Sequence, residues 1–316
     1  MIKKRYLYVT IALTLLTYFA SNATIRNFYR KNKKFSLSSI RPTPPFYPNQ
    51  TLPPLSTEQE KEVASAMDQN YTYLGRGGQC FAFLSEDGKY VLKLLNQKRK
   101  KDPFYISSLL SIFAKKSLQK KIDHRKKENL SRIASNEVDA KSYLMAIQEL
   151  KELTGVLFIH LQMTSHLLKT LTVSDKSGKK HTLALDHYEF LIQRKAELIY
   201  DKITKWMQEG KQEKAQGLIS NVIQAVITRS EQSIIDDDPR IDKNFGCIEE
   251  RCLFIDVGRF RKHPQIADPS IYLQDLERIT LPLKIWLSDK HPHLKIDLEN
   301  KLIELKNLYH TNEDLL

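Results

Sequence analysis

Two short runs of aromatic and branched residues give the clearest pattern along the chain. The runs Cys80–Leu84 and Tyr90–Leu95 flank an Asp-Gly pair at positions 87–88. Such a pair between apolar runs predicts an antiparallel hairpin, because glycine tolerates a positive φ. Upstream, Ser56 followed three positions later by Gln59 predicts the capping box that begins a short helix. Folded structure is therefore expected from about residue 56 onwards.

After the hairpin, the hydrophobic periodicity alternates between strand-like and helix-like segments. Strands cluster early and helices late, which is the order of an α+β fold. The predicted elements are a helix from about Ser131 to Lys151, strands near Val156–Gln162, Leu168–Val173 and Tyr188–Arg194, helices around Asp201–Gln208 and Lys214–Ser230, and a second hairpin made of Asn244–Ile248 and Cys252–Asp256.

The N-terminal residues have the pattern of a targeting or anchoring segment. A basic start, Met1–Arg5, is followed by the apolar run Tyr6–Ala20 and by the small residues Ser21–Ala23. Residues 1–23 fit either a cleaved signal peptide or a membrane anchor, so the protein is expected to be anchored or exported. The basic residues that follow favour a cytoplasmic C-terminal side for an anchor. Residues 24–55 are basic and proline-rich, which predicts a semi-rigid linker.

The net charge of +13 is concentrated in one segment. Lys98–Lys127 holds eleven of the 50 Lys and Arg residues and only two of the 37 acidic ones. This basic segment is interleaved with apolar residues, which suits an interfacial helix on an anionic membrane. Nucleic acid is the runner-up partner, and a solvated insert without a partner is the third alternative.

The cysteine content excludes two classes of protein. Only Cys80, Cys247 and Cys252 are present, which is too few for a disulfide framework or a four-ligand zinc site. A two-residue turn at 249–250 would place Cys247 directly opposite Cys252, in a non-hydrogen-bonded pair. The pair predicts either a local disulfide in an oxidising compartment or two packed thiols.

Two features near the first hairpin point to phosphate binding. Gly75, Gly77 and Gly78 lie where a turn could bring backbone N–H groups close to phosphate oxygens, since a Cβ would block that approach or the backbone angles it needs. Alone, such a loop is more often a plain turn. Lys93 lies within an apolar strand, where its charge needs a partner. Together they favour phosphate binding, and the alternative for Lys93 is a solvent-facing residue on an edge strand.

A strand lysine of this kind needs a carboxylate from a helix. Glu137 is the first candidate, because Ile133, Val138 and Leu144 give the predicted helix an apolar face beside it. Asp139 is the second candidate. A solvated helix-forming glutamate is the alternative reading of Glu137.

The last candidate residues lie in an aspartate-rich loop and a short apolar strand. The loop contains Asp236, Asp237, Asp238, Arg240, Asp242 and Asn244, and the strand ends in Ile255-Asp256-Val257-Gly258. The order of glycine-rich loop, strand lysine, helix glutamate, aspartate-rich loop with asparagine, and apolar-apolar-Asp-x-Gly resembles the protein kinase superfamily. The resemblance covers about residues 73–260.

This resemblance implies a bilobal kinase-like fold over residues 56–316. The N-lobe would be a five-stranded antiparallel sheet within about residues 70–194, followed by a hinge near 193–197. The C-lobe, from about 198, would be mainly helical. ATP with Mg²⁺ would bind in the cleft between the lobes.

The resemblance also implies a role for each candidate residue. Asp256 and Asn244 would be the metal ligands, because both offer the hard oxygen donors that Mg²⁺ requires. The glycine-rich loop and Lys93, positioned by Glu137, would bind the phosphates of the nucleotide. Asp238 would be the catalytic base, and Arg240 would steady the transferring phosphate.

Several departures from the family pattern keep the function open. Asp238 lies six residues before Asn244 rather than five, the usual His-Arg before the base is absent, and Val257 replaces Phe. Asp236 or Asp242 could therefore be the working carboxylate. No Ala-Pro-Glu sequence follows Asp256, so a small or atypical phosphoacceptor fits as well as a protein. The two hypotheses are an ATP/Mg²⁺-dependent phosphotransferase and a non-catalytic kinase-like binding module tethered at a membrane.

Overall fold

A computed structural model of the chain describes residues 35–42, 52–97 and 137–313. The predictions for the N-terminal segment 1–23, for most of the linker and for the basic insert Lys98–Lys127 lie outside these residues. From Leu37 onwards the described residues belong to one compact unit, Leu37–Leu316. Within its described part, no helix combines the length and the apolar character that crossing a bilayer requires.

The described elements run from a strand-rich first part to a helical second part. The helices are α1 (Leu37–Ile40), α2 (Thr57–Met67), α3 (described over 137–148), α4 (Lys151–Thr154), α5 (Ile199–Gln208), α6 (Gln212–Glu231), α7 (Ile241–Asn244), α8 (Pro269–Lys290) and α9 (Pro292–Glu313). The strands are β1 (Tyr71–Arg76), β2 (Cys80–Ser85), β3 (Tyr90–Leu95), β4 (Val156–His160), β5 (Thr170–Ser174), β6 (Lys180–Ala184), β7 (Phe190–Arg194), β8 (Glu197–Leu198), β9 (Ile234–Asp236), β10 (Phe245–Ile248), β11 (Arg251–Phe254) and β12 (Phe260–Lys262). The α+β prediction is confirmed.

Seven strands form one sheet, in the order β4-β7-β3-β2-β1-β5-β6. The first five of these are neighbours and are antiparallel, as the kinase resemblance implies. The expected count of five is nevertheless too low, because the β5–β6 hairpin extends the sheet. β5 pairs with β1 in parallel, with Tyr71 opposite Val173. The outer edge of β1 would otherwise present unpaired backbone groups, and the added hairpin pairs with the first two residues of that edge, Tyr71 and Thr72.

The local predictions based on caps and turns are confirmed. The Ser56 hydroxyl accepts a hydrogen bond from the Gln59 N–H at 3.3 Å, and the Gln59 side chain accepts from the Ser56 N–H at 3.0 Å, which completes the capping box of α2. β2 and β3 pair antiparallel across a turn in which Gly88 has a φ of 72°. Both features depend on residues close in sequence, so the sequence pattern was sufficient to find them.

The predicted cysteine register is also confirmed. β10 and β11 pair antiparallel with Cys247 directly opposite Cys252, and Glu249 begins the turn with a φ of 54°. Both thiols are buried and free. Burial raises the pKa of Cys247 to about 11 and raises the pKa of Cys252 as well. The two side chains therefore pack as protonated thiols in the hairpin.

Helix α6 is the centre of the helical part. Its buried apolar residues recur every three or four positions, as expected for a helix packed on one face. They include Leu218, Val222 and Val226, none of which has exposed surface. This face belongs to the same hydrophobic core as α5, α8 and α9 and the hairpin strand β11. The β10–β11 hairpin, which precedes Asp256, therefore packs against α6 in the hydrophobic core.

Two minor sheets place the loops of the site, and the sequence pattern missed three of their strands. β8 adds to the β10–β11 hairpin, while β9 pairs with β12 so that Asp236 lies opposite Phe260. β8, β9 and β12 are only two or three residues long, which is too short for a period-2 pattern to register. The β9–β12 pair brings the aspartate-rich loop beside the segment that follows Asp256.

Candidate active site

The glycine-rich loop connects β1 and β2 at one end of the large sheet. The N–H of Gly77 donates to the carbonyl of Cys80 at 3.0 Å, which closes the loop. None of Gly75, Gly77 and Gly78 has a positive φ, so backbone conformation is not why glycine is needed here. A Cβ at Gly75 or Gly78 would meet nothing within 4 Å. The loop therefore faces open space from which another group can approach its backbone.

Lys93 lies on a central strand of the sheet. Its neighbours across the ladders are Ala82 on β2 and Leu191 on β7, so the edge-strand alternative is wrong. The Lys93 ammonium donates a hydrogen bond to the carbonyl of Ile255, the residue before Asp256. Lys93 therefore points to the end of the β10–β11 hairpin. A carbonyl partner satisfies a donor but does not neutralise the charge.

The helix carboxylate nearest the loop is Asp139 rather than Glu137. Glu137 is exposed, and no ion pair joins it to Lys93 in the described structure. Asp139 is 5% exposed and accepts from the Gln79 side chain at 3.0 Å. The predicted apolar face was misplaced, since Val138 is 44% exposed whereas Tyr143 and Ala146 are buried. A helix rotated in this way turns Glu137 to solvent. The predicted residue Ile133 lies outside the described residues.

Gln79 links the glycine-rich loop to two other elements. Besides Asp139, its amide nitrogen donates to the carbonyl of Gly258 at 3.0 Å. A Cβ built on Gly258 would lie 1.8 Å from the Gln79 amide oxygen, so glycine is needed there for this close approach. The contact joins the loop, α3 and the Asp256-Val257-Gly258 segment. No sequence signal identified Gln79, because a lone glutamine in a loop has many ordinary roles.

Ser142 fixes α3 to the same segment. Its buried hydroxyl donates to the carbonyl of Val257 at 2.6 Å and accepts from the N–H of Phe260 at 2.6 Å. Both hydrogen-bonding functions of the hydroxyl are therefore used. The backbone on either side of Gly258 is held against the helix, so the position of Asp256 depends on α3.

Asn244 lies opposite Ile255 at the open end of the β10–β11 hairpin, and Asp256 is the next residue along the chain. The N–H of Ile255 donates to the Asn244 carbonyl at 2.8 Å, which continues the ladder to these residues. Asp256 is half-buried, and among the described residues its carboxylate accepts only a long 3.4 Å bond, from the Gly258 N–H. The Asn244 amide nitrogen donates a hydrogen bond to the Asp238 carbonyl at 2.7 Å. The carboxylate of Asp256 and the amide oxygen of Asn244 remain as hard oxygen donors.

These two donors fit a magnesium ion that is bound together with phosphates. Within residues 35–42, 52–97 and 137–313, no three His, Cys, Asp or Glu side chains converge into a closed metal site. Mg²⁺ usually keeps several waters and takes one or two protein ligands plus substrate phosphates. An open pair of oxygen ligands is what such a site needs.

Among the three carboxylates that the sequence left open as a base, Asp238 is the accessible one. Asp236 is only 3% exposed, and Asp242 is paired with the Arg240 guanidinium at 3.0 Å. Asp238 is exposed, and its carboxylate has no hydrogen bond to any described residue. Its backbone is held on both sides, because its N–H donates to Asp236 at 2.9 Å and its carbonyl accepts from Asn244. Arg240 is engaged with Asp242 and is not a free cation.

Electrostatic interactions connect these groups. Burial raises the pKa of the Cys80 thiol, at the end of the glycine-rich loop, to about 11, with Lys93 acting against the increase and Asp256 adding to it. Burial likewise raises the pKa of Asp236 to about 6, an increase that the Asp238 N–H and the charge of Arg229 reduce. The charge of Asp256 contributes to both pKa values, so it lies within reach of both the loop and the aspartate-rich segment.

A cavity of about 490 Å³ opens beside Asp238. Its walls come from α5, α7, α8 and the aspartate-rich loop, and they include Tyr200, Asp238, Ile279 and Pro282. The Tyr200 ring stacks on Trp286 with 4.4 Å between ring centroids. Burial raises the pKa of Tyr200 to about 12, so its phenol stays protonated and can donate or accept a hydrogen bond.

The structure joins some of the predicted site residues through direct contacts. Contacts run from Lys93 to Ile255, from Ile255 to Asn244, and from Asn244 to Asp238. Glu137 and Arg240 do not take part in this set. A sheet with a central lysine, a following helix, an aspartate-rich loop and a hairpin ending in Asp-x-Gly follow one another in the order that the kinase resemblance implies.

Comparison with known proteins adds only weak likenesses. No family model and no curated protein matches the chain. The complex of Rv3197 with erythromycin from Mycobacterium tuberculosis is 12% identical, with a TM-score of 0.31, and the match covers 67% of this chain and 54% of that one. The ternary complex of streptomycin, ATP and APH(2'')-IIa is 11% identical, with a TM-score of 0.30, covering 80% of this chain and 99% of that one. The chain thus spans about half of Rv3197, and at these TM-scores neither likeness carries an argument about function.

Proposed function

We propose that this protein is an ATP- and Mg²⁺-dependent phosphotransferase of kinase-like fold. The observation that supports the proposal is the chain of contacts from Lys93 to Ile255, from Ile255 to Asn244 and from Asn244 to Asp238, with Asp256 directly after Ile255. A phosphate-binding cation, two oxygen ligands for a metal and a free carboxylate are the groups that phosphoryl transfer needs. They lie beside a glycine-rich loop whose open side faces free space.

Each side chain then has a distinct task. Lys93 would exchange its carbonyl partner for nucleotide phosphate oxygens, which also neutralise its charge. Asp256 and Asn244 would hold Mg²⁺. The bound nucleotide and metal supply the transferable phosphoryl group and screen its negative charge. Asp238 would orient an acceptor hydroxyl and take its proton, since its carboxylate is accessible and its backbone is fixed from both sides.

We also propose that the acceptor is a small molecule, bound in the cavity beside Asp238. The cavity volume of about 490 Å³ lies within the range of roughly 300–1,000 Å³ that is usual for small-molecule sites. Its walls combine apolar surface from Ile279 and Pro282 with the exposed carboxylate of Asp238. This mixture suits a compact compound that carries hydroxyl groups.

Nucleotide binding is tested by thermal unfolding with ATP, with Mg²⁺ and with both. We expect stabilisation by ATP that increases with Mg²⁺, by about 2.7 kcal/mol when the ligand is at 100 times its Kd. Lys93→Met should lose most of this stabilisation. Phosphotransfer to a panel of small hydroxyl compounds tests catalysis, and Asp238→Asn should lower kcat by about 10²-fold or more. No stabilisation under any of these conditions would reject the proposal.

A second candidate function is a non-catalytic nucleotide-binding module. The observation that favours it is the Lys93 ammonium bound to a backbone carbonyl, with Asp139 bound instead to Gln79. Stabilisation by nucleotide without any phosphotransfer, and without an effect of Asp238→Asn, would favour this candidate.

The location of the domain is a separate proposal. The basic and apolar character of residues 1–23 and of Lys98–Lys127 supports attachment to an anionic membrane surface. Protease accessibility in intact cells would show on which side of the membrane the domain lies. Vesicle binding that persists after deletion of both segments would contradict attachment through them.

A further inference from the structure

A fully buried arginine lies behind the aspartate-rich loop. Arg229, in the last turns of α6, has no exposed surface. Its Nη2 donates to Asp275 on α8 at 3.2 Å, and its guanidinium carbon lies 5.5 Å from the centre of the Phe254 ring. Its Nε and Nη1 are buried and have no hydrogen-bond partner among the described residues. A buried guanidinium with two unused donors is costly, so it needs a structural or functional reason.

A buried carboxylate with an unused oxygen lies on the other side of the same region. Asp236 ends β9, and its Oδ1 accepts from the N–H of Asp238 at 2.9 Å. Its Oδ2 is buried and has no partner in the described structure. Asp236 therefore holds the backbone of the proposed base with one oxygen and has the second oxygen available for another interaction.

Arg229 and Asp236 interact electrostatically but do not touch. The charge of each favours the charged form of the other, against the effect of burial. No nitrogen of Arg229 lies within 4.0 Å of a carboxylate oxygen of Asp236, whereas Asp275 does form such a contact. Two buried donors and one buried acceptor without protein partners are the kind of groups that an internal water bridges. A water there would make two or three hydrogen bonds.

We propose that Arg229 and Asp236, joined through buried water, act as a positioning pair that fixes the turn carrying Asp238. Asp275 anchors the far side of Arg229 and is itself held by Arg278 at 2.6 Å. Arg278 and Asp238 both line the 490 Å³ cavity. The buried pair therefore ties two walls of the cavity together through the core. The inference rests on the proposed function for its kinetic consequence only, since its structural consequence can be measured without catalysis.

The test compares wild type with Arg229→Met, Asp236→Asn and the double variant. Amide hydrogen exchange in the peptide 236–244, measured without nucleotide, reports directly on the turn. We expect Arg229→Met to speed exchange there by about tenfold or more, because the uncompensated Asp236 charge loosens the turn. Asp236→Asn added to Arg229→Met should raise the melting temperature again, since no unpaired buried charge is left. If the double variant lowers the melting temperature by the sum of the two single effects, Arg229 and Asp236 do not act as a pair and the proposal is overturned.

Kinetics separate positioning from plain stability. A positioning role predicts that Arg229→Met lowers kcat by about 10–100-fold while the KM for ATP changes less than about threefold. Arg229→Lys keeps the charge and should recover part of the loss. A fall in melting temperature with unchanged kcat and unchanged exchange would reject the proposal. If wild type transfers no phosphate, the proposed function fails. Amide hydrogen exchange in 236–244 and the melting temperature of the double variant then still test whether Arg229 and Asp236 act as a pair.

A matched control breaks another polar contact of α6. Gln216 donates to Asp297 on α9 at 2.7 Å, far along the helix from Arg229. Asp297→Ala, which removes the acceptor of this bond, should leave both exchange in 236–244 and kcat at the wild-type level. Arg229→Lys also serves if Arg229→Met does not fold, and it should then show an intermediate increase in exchange.

Discussion

At the scale of single residues, Lys93 shows how a charge can be kept inside a sheet. Its strand lies between β2 and β7, and its only partner among the described residues is a backbone carbonyl. Hydrogen bonding to a carbonyl offsets part of the cost of desolvation but provides no counter-charge. An anion near the Ile255 carbonyl would therefore meet a Lys93 side chain that already points there. Binding would then cost little of the conformational entropy of that side chain.

We expect Lys93→Met and Asp256→Asn each to abolish phosphotransfer, with a loss of at least about 10²-fold in kcat/KM. Both changes remove a charge at the opening without creating a core cavity, so the melting temperature should stay close to that of wild type. Lys89→Met, at an exposed lysine beside the same sheet, is the matched control. Wild-type turnover in either site variant would remove that residue from the site.

Gly258 tests the contact between the glycine-rich loop and the hairpin end. Gly258→Ala would place a methyl group 1.8 Å from the Gln79 amide oxygen, so the Gln79 side chain must move and lose its bond to the Gly258 carbonyl. We expect the KM for ATP to rise by roughly three- to tenfold as the loop loosens. Gly78→Ala should be nearly neutral in the free protein, because its Cβ would meet nothing within 4 Å.

The Gly258→Ala effect should also depend on Gln79. If the bond between Gln79 and Gly258 is what positions the loop, Gly258→Ala should add little to Gln79→Ala. Steady-state kinetics of the two single variants and the double variant measure this coupling. Fully additive increases in KM would contradict a role for the contact.

At the scale of elements, the sequence predicted what is local and missed what depends on distant partners. The helix cap at Ser56 and the hairpin at Gly88 were found because their signals lie within a few residues. The short strands β9 and β12 exist only because they pair with each other across the hairpin between them. The rotation of α3 could not be predicted either, because the surfaces that bury Tyr143 and Ala146 come from other parts of the chain.

Ser142 should be the most sensitive polar residue of α3. Ser142→Ala leaves the Val257 carbonyl and the Phe260 N–H without their buried partner, and we expect a loss of about 1–3 kcal/mol in the free energy of unfolding. Denaturant unfolding measures it. Ser220→Ala, which removes a single bond to the Gln216 carbonyl within α6, should cost less than about 1 kcal/mol. Equal costs would show that Ser142 does not fix the hairpin.

The loop between β4 and β5 should respond to acid. Hydrogen bonds from the Thr164 hydroxyl and from the Leu167 and Leu168 N–H groups lower the pKa of Asp186 to about 2. A carboxyl whose pKa is lowered on folding stabilises the protein above its unfolded pKa of about 3.9. This stability is lost as the pH falls toward 2.

Asp186→Asn should therefore lower the melting temperature at pH 7. The difference from wild type should shrink as the pH falls from about 4 to 2. Thermal unfolding of both proteins across this range measures it. Asp201→Asn, at an exposed position on α5, is the control. A difference that does not change with pH would show that the ionised form of Asp186 is not what stabilises the loop.

At the scale of the whole molecule, the site depends on how the sheet and the helical part are joined. Gln193, at the end of β7, is 2% exposed and donates to the carbonyls of Thr154 at 2.6 Å and Phe254 at 3.1 Å. The resemblance placed a hinge at this point, between residues 193 and 197. Gln193, the first residue of this predicted hinge, is held to β11 by its hydrogen bond to the Phe254 carbonyl, two residues before Asp256.

The candidate site was partly predictable from sequence for the same reason. Lys93, Asp256, Asn244 and Asp238 stand in an order that the family pattern encodes, so their proximity could be anticipated. Gln79, Ser142 and Arg229 have no signal in sequence, because their importance comes from contacts between segments far apart in the chain, such as Gln79 with Gly258. Glu137 was chosen over Asp139 because sequence spacing cannot fix the rotation of a helix.

The added β5–β6 hairpin has a consequence for how copies of the protein meet. Without it, β1 would end the sheet with a row of unsatisfied donors and acceptors, and such an edge can recruit a strand from another molecule. The described sheet ends instead at β6, which is short, begins with the exposed Lys180 and has Leu183 as its single buried residue. A charged and mostly polar border gains little from edge-to-edge pairing, so the β6 edge of the sheet that carries the glycine-rich loop is a poor template for a strand of a neighbouring molecule.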